Sequence, residues 1–155
     1  MQLLDKISLG FGRKIPTILQ TEATECGLAC IAMIAHFYGS ESDLLTLRRR
    51  FTKTQKGSNL NQLIKISNQL KMVTRPLKLD LDDLNQLKTP CILHWDFNHF
   101  VVLQEVSANK VTILDPAFGK RILTLNEVSE HFTGVALELW PDTEFEKKEE
   151  KNQIQ

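Results

Sequence analysis

Cys26 is the residue with the most chemical reach in this sequence, because of where it stands. The stretch Gln20-Thr21-Glu22-Ala23-Thr24-Glu25-Cys26-Gly27-Leu28-Ala29-Cys30 passes from polar residues into an apolar run, which places the cysteine in the first turn of a buried helix. Unpaired N–H groups and the positive dipole end of such a helix start stabilise a thiolate, the nucleophilic form of the side chain. Gly27 leaves the sulfur approachable. A thiolate nucleophile needs a base that can hold and return a proton, and His99 opens an apolar strand directly after the polar loop Asp96-Phe97-Asn98. Asp115 ends the neighbouring strand at a turn fixed by Pro116, where a hairpin can carry its carboxylate to the imidazole and orient the ring. Gln20, six residues before Cys26, can offer a side-chain N–H beside the Cys26 backbone N–H to a developing oxyanion. Each of the four also has a plainer role: a small buried hydrophobe, a satisfied sheet histidine, a turn-starting aspartate before proline, a loop amide.

The elements that must bring these residues together change in kind along the chain. Residues 1–19 read as an extended lead-in, because Gly10, Gly12 and Pro16 interrupt any helix that Leu3, Leu4 and Ile7 begin. Thr21 or Thr24 can cap a first helix whose Leu28, Ile31, Met33, Ile34, Phe37 and Tyr38 cover most of its circumference, with Gly39 as its stop. Ser40 with Asp43 approximates a capping box for a second helix carrying Leu44, Leu47 and Phe51, on which Arg48-Arg49-Arg50 is expected to be a solvated face. A third helix starts near Ser58 or Asn59 and carries Leu60, Leu63, Ile64 and Leu70. Val73, Leu77 and Leu79 then suggest a strand, and Asp82 to Leu87 a helical turn. From Pro90 the chain reads as antiparallel strands: 91–95, 99–103, 111–114, 121–125 and 135–140, with Asn126 capping a short helix to Phe132. Helices first and an antiparallel sheet afterwards make an α+β domain. Its expected bounds are 20–140. Residues 141–155, eight of them charged, read as a tail or linker with almost nothing for a core.

Composition narrows the function classes. The 155 residues, 42% of them hydrophobic and 25% charged, are enough for one domain with its own core. Nineteen basic and nineteen acidic residues cancel, and no basic stripe exists for nucleic acid to follow. The apolar run from Leu28 to Ala35 is too short to span a bilayer, and the first 15 residues lack a signal-type apolar core, so a soluble, unexported chain is expected. Three cysteines fit a reducing compartment. Cys30 stands at i+4 from Cys26, not at redox or zinc spacing, and it and Cys91 are expected in the core. No metal-ligand spacing appears, so neither a metal nor a cofactor is expected. His36 and His131 fall near helix ends; Trp95 and Phe97 either wall a cleft beside His99 or pack in the core.

Three segments together carry a more specific signal. Gln20 to Cys30, Pro90-Cys91-Ile92-Leu93-His94-Trp95-Asp96-Phe97-Asn98-His99-Phe100-Val101-Val102, and Asp115-Pro116 closely resemble the N-terminal cysteine peptidase domain of bacteriocin-exporting ABC transporters, nearest the colicin V type, from about Arg13 to Trp140. The resemblance implies a papain-like fold on the cytoplasmic face of the inner membrane, removing a leader that ends in Gly-Gly before export. It puts the family's oxyanion glutamine on Gln20, its nucleophile on Cys26, its general base on His99 and its orienting aspartate on Asp115. The implied partners are the leader of a secreted peptide precursor and the transmembrane and nucleotide-binding domains of a dimeric transporter, with no nucleic acid. Two other readings share these residues: a non-catalytic domain that docks cargo, and a Cys-His-Asp acyltransferase or amidase.

Overall fold

The computed structural model describes residues 14–20, 25–41, 43–51 and 59–145. Among them, helices come first: α1 (Cys26–Phe37), α2 (Leu44–Phe51) and α3 (Leu60–Gln69). β1 (Met72–Lys78) and a 3-10 turn (Leu81–Gln86) lead to β2 (Cys91–Trp95), β3 (His99–Ser107), β4 (Lys110–Asp115) and β5 (Gly119–Thr124). A short α4 (Leu125–Ser129) and β6 (Phe132–Pro141) complete the described elements. These six strands form one antiparallel sheet in the order β1-β6-β2-β3-β4-β5.

Side-chain alternation along the strands separates two cores, one on each face of this sheet. Ile92, Phe100, Val102, Leu114, Leu137 and Leu139 pack with α1, α2 and α3. Cys91, Leu93, Trp95, Val101, Leu103 and Ile113 pack on the other face under Leu84 of the 3-10 turn and Val128 of α4. Because β3 serves both cores, its run Phe100-Val101-Val102-Leu103 is continuously apolar. Helix α1 fits the expectation of a central element: every residue from Cys26 to Ala35 is buried, and it packs chiefly against β3.

The boundaries differ from the sequence reading where local capping decides them. The N-cap of α1 is Glu25; Thr21 and Thr24 lie outside the described residues, as does Ser58. Asn59 caps α3, its side chain accepting from Gln62 N at 2.9 Å. At α2 the cap is Asp43, not Ser40, since its Oδ1 accepts from Thr46 N at 2.8 Å and its carbonyl from Leu47 N. The bond from Thr46 holds the Asp43 carboxyl below its ordinary value. Thr124, not Asn126, caps α4, in a reciprocal box with Glu127 that stops β5 one residue early. Gly39, at φ +104, ends α1 as expected.

Two segments assigned outside the domain contribute to it. Ile15 and Ile18 pack against the helical core from the extended stretch before Gln20. Phe145, placed by sequence in the tail, is buried in the same core, while residues 146–155 lie outside the described part. No helix among the described residues is long and apolar enough to cross a membrane. Met33→Ala, at a fully buried site of α1, is expected to cost about 2–5 kcal/mol, whereas Leu45→Ala, 47% exposed on α2, should stay within about 0.5 kcal/mol. Urea unfolding followed by far-UV circular dichroism measures both.

Candidate active site

The site lies at one end of the sheet, where the start of β3 and the end of β4 stand side by side and the N-terminus of α1 meets them. Antiparallel pairing of β3 with β4 puts His99 and Asp115 at the same end. His99 Nε2–H donates to Asp115 Oδ1 at 2.7 Å. Asp115 is buried, and the same oxygen accepts from Ala117 N at 2.9 Å, so the turn-forming role and the ring-orienting contact coexist in one side chain. The turn closes on Gly119, whose φ of +102 suits a residue without Cβ.

Cys26 stands near enough to the same imidazole to favour its charged form. With Nε2 taken by Asp115, Nδ1 is the nitrogen left for the sulfur. Burial works against a charged ring at His99, but the hydrogen bonds to Asp115 and Cys26, together with their negative charges, outweigh it and raise the pKa to about 9. Asp115 and Cys26 thus favour the protonated, positively charged ring at His99. Burial governs the other two cysteines. Burial pushes the Cys30 thiol well up, helped by the nearby charges of Cys26 and Asp115. Burial does the same at Cys91, where the Glu138 carboxylate adds to the effect. Both are core residues, as expected.

Gln20 reaches the site by its backbone: its N–H donates to the Pro116 carbonyl at 2.9 Å, strapping the segment before α1 to the turn that carries Asp115. Of the four residues singled out by sequence, His99 and Asp115 are hydrogen-bonded, Cys26 stands beside the same ring, and Gln20 is tied to the turn that carries Asp115.

Sequence reasoning missed two supports. Glu25, adjacent to Cys26, is buried, and Arg48 of α2 clasps its carboxylate through Nε to Oε2 and Nη2 to Oε1, the latter at 3.1 Å. The arginine run is therefore not simply a solvated face. A buried carboxylate one helix away from an arginine has no signature in spacing. The second support is His131, which lies in the turn between α4 and β6 and not on a helix; its Nδ1–H donates to Asp96 Oδ1 at 2.8 Å and its carbonyl accepts from Asp96 N at 2.9 Å. These bonds hold the loop before His99, where Asp96 and Phe97 take φ of +50 and +67, a costly conformation for residues with a Cβ. Trp95 is in the core, stacked on His131 at 5.1 Å, while Phe97 is 87% exposed at the rim.

Comparison with known proteins agrees with this geometry. The model of the Peptidase C39 family matches residues 14–144. The chain belongs to that family. This C39 domain is 51% identical over 144 residues to the probable microcin-H47 secretion/processing ATP-binding protein MchF and 50% identical over 147 residues to the colicin V secretion/processing ATP-binding protein CvaB, both of Escherichia coli. The alignments cover 93% and 95% of the chain but 21% of each relative, so the chain spans about a fifth of their length. Among solved structures, a double glycine motif protease from an AMS/PCAT transporter, in complex with the leader peptide, superposes with a TM-score of 0.76 at 34% identity, over 84% of this chain and 95% of that one. The C39 domain is thus a cysteine peptidase with the papain-like α+β fold that the sequence implied.

The raised His99 pKa has a consequence for stability. Between the ordinary value of about 6.5 and about 9, the folded ring keeps a proton that the unfolded chain releases, so the contribution is complete below the lower value and is lost as pH rises through the upper one. Wild type should therefore exceed Asp115→Asn in Tm most clearly near pH ~6 and least above pH ~9.5, by scanning calorimetry across that range. A gap that widens with pH would contradict the assignment.

Proposed function

We propose that this chain is a cysteine endopeptidase that removes a double-glycine leader from a bacteriocin or other peptide precursor, as the processing domain of an ABC exporter. The His99–Asp115 hydrogen bond, with Cys26 beside the same ring, carries the proposal. The Cys26 thiolate attacks the carbonyl carbon of the residue before the cut, and the carbonyl electron pair moves onto oxygen. The Cys26 backbone N–H and the Gln20 side-chain amide stabilise that oxyanion. As the intermediate collapses, the C–N bond breaks and His99 Nδ1–H gives its proton to the leaving amine, leaving a thioester on Sγ. Water then attacks the thioester, His99 takes its proton, and the leader acid departs as the thiolate–imidazolium pair is restored. Asp115 holds Nε2–H throughout and does not take the proton.

Access supports a glycine-specific cut. Cys26 is only 2% exposed, and two residues without side chains approach so covered a residue more readily than residues carrying a Cβ. Affinity then comes from elsewhere on the leader, by an amphipathic helix laid in an apolar groove. The likeness to a double glycine motif protease solved with a leader peptide supports this substrate. The E. coli relatives, named as secretion and processing ATP-binding proteins, support a setting beside transmembrane and nucleotide-binding domains. In this reading the exporter is a dimer, with the peptidase on the cytoplasmic face of the inner membrane.

Cys26→Ala and His99→Ala should abolish cleavage, Asp115→Asn should retain part of it, and Gln20→Ala should lower kcat by ~10²–10³ with KM kept. Steady-state kinetics on a fluorogenic leader substrate separates these; full activity in Cys26→Ala would overturn the peptidase assignment, and tight leader binding without turnover in the wild type would favour cargo docking. Leader peptides of graded length, followed by mass spectrometry, should be cut far better when full-length than when they carry Gly-Gly alone. Replacing the glycine before the cut with Leu should stop cleavage while binding survives. Equal cutting of short and long peptides would remove the groove, and acceptance of Leu would remove the glycine specificity.

A further inference from the structure

Glu25 poses an electrostatic problem that the reaction scheme does not address. It is the N-cap of α1, its side chain makes no cap hydrogen bond, and its carboxylate is buried one residue from Cys26. Negative charge at a helix N-terminus draws on the same positive potential that stabilises a thiolate there. Two like charges at one helix end oppose each other, and burying a carboxylate without compensation is costly in itself.

Arg48 answers both difficulties. Its guanidinium meets Glu25 as a two-pronged fork, the geometry in which arginine binds carboxylate best. It is held there by α2, whose Leu44, Leu47 and Phe51 are buried in the helical core beside α1. Arg50, two residues on, is engaged elsewhere: it donates to the Gln69 carbonyl and lies over the Phe51 ring. Among the described residues, His99 from β3 and Cys30 one turn along α1 are ionisable groups coupled to Cys26, and Asp115 from β4 acts on both of them.

We propose that Arg48 is a positioning residue for the nucleophile: by clasping Glu25 it cancels a carboxylate that otherwise competes with the Cys26 sulfur for the positive end of α1, and it fixes that helix end against α2. The proposal rests on the reading of Cys26 as the nucleophile. It makes the two members of the pair act in opposite directions. Removing the arginine shifts the balance of charge beside the sulfur toward negative, and removing the carboxylate shifts it toward positive.

The test follows the rate at which iodoacetamide alkylates Cys26, by peptide mapping, from about pH 5 to about pH 10. Arg48→Met should move the profile to higher pH by about one unit, the order of a neighbouring charge, and so slow alkylation about tenfold on the acid limb of the profile. Glu25→Gln should move it to lower pH. Arg48→Lys, which keeps the charge without the fork, should stay near wild type, and the double variant Glu25→Gln, Arg48→Met should return toward it. A purely structural pair would instead slow both single variants without opposite shifts, and that result, or an unshifted Glu25→Gln profile, overturns the proposal. If circular dichroism shows Arg48→Met unfolded, the direction of the Glu25→Gln shift decides. Wild-type Cys26 reacting no faster than a thiol in the denatured chain would overturn the nucleophile itself, a result separate from any difference among the variants.

Discussion

Charge has to be kept where water is nearly absent, and this requirement organises the molecule. Cys26, 2% exposed, has little solvent around it, and the partly buried imidazole of His99 loses part of its proton affinity to burial. The contact between His99 and Asp115 reverses that balance by placing a buried carboxylate against the ring. Everything that fixes this contact therefore matters. The antiparallel register of β3 and β4 sets the two residues at one end of the sheet, the Ala117 amide pins the carboxylate, and the strap from Gln20 to Pro116 holds the turn from outside.

The two cores divide the work of positioning. The helical core places the first turn of α1 over the sheet, because Cys26 to Ala35 are buried all round and the helix has no polar face to turn outward. The opposite core holds the histidine's hairpin, with Trp95 sealed beneath the loop and stacked on His131. Residues 99 and 115 thus inherit their placement from packing on both sides of the sheet.

Sequence legibility followed the range of the interactions. Strand β2 and the start of β3 were readable to the residue because a continuous apolar run bounded by Asp96-Phe97-Asn98 admits few alternatives, and α1 was readable from its all-round hydrophobicity. Caps were less so: Asp43 and Thr124 displaced Ser40 and Asn126, each a choice between neighbouring polar residues that differ little in propensity. Cys26, His99 and Asp115 stood out because their chemistry constrains both type and local setting. Glu25 with Arg48 and Asp96 with His131 did not, since each joins two elements far apart in the chain and a charged residue in a polar stretch predicts no partner. Phe145 was missed for a similar reason, a lone aromatic in a charged segment that tertiary packing recruits.

In strand β3 the run Phe100 to Leu103, buried against both cores, is expected to be among the last backbone of the domain to open. Amides in such a strand exchange with solvent through global unfolding and not through local fraying. His99 is its first residue, in contrast to the common arrangement in which reactive side chains sit on loops that open independently of the scaffold. The histidine's placement is consequently tied to the integrity of the sheet it opens, and the lifetime of the assembled site is expected to follow the unfolding of the domain.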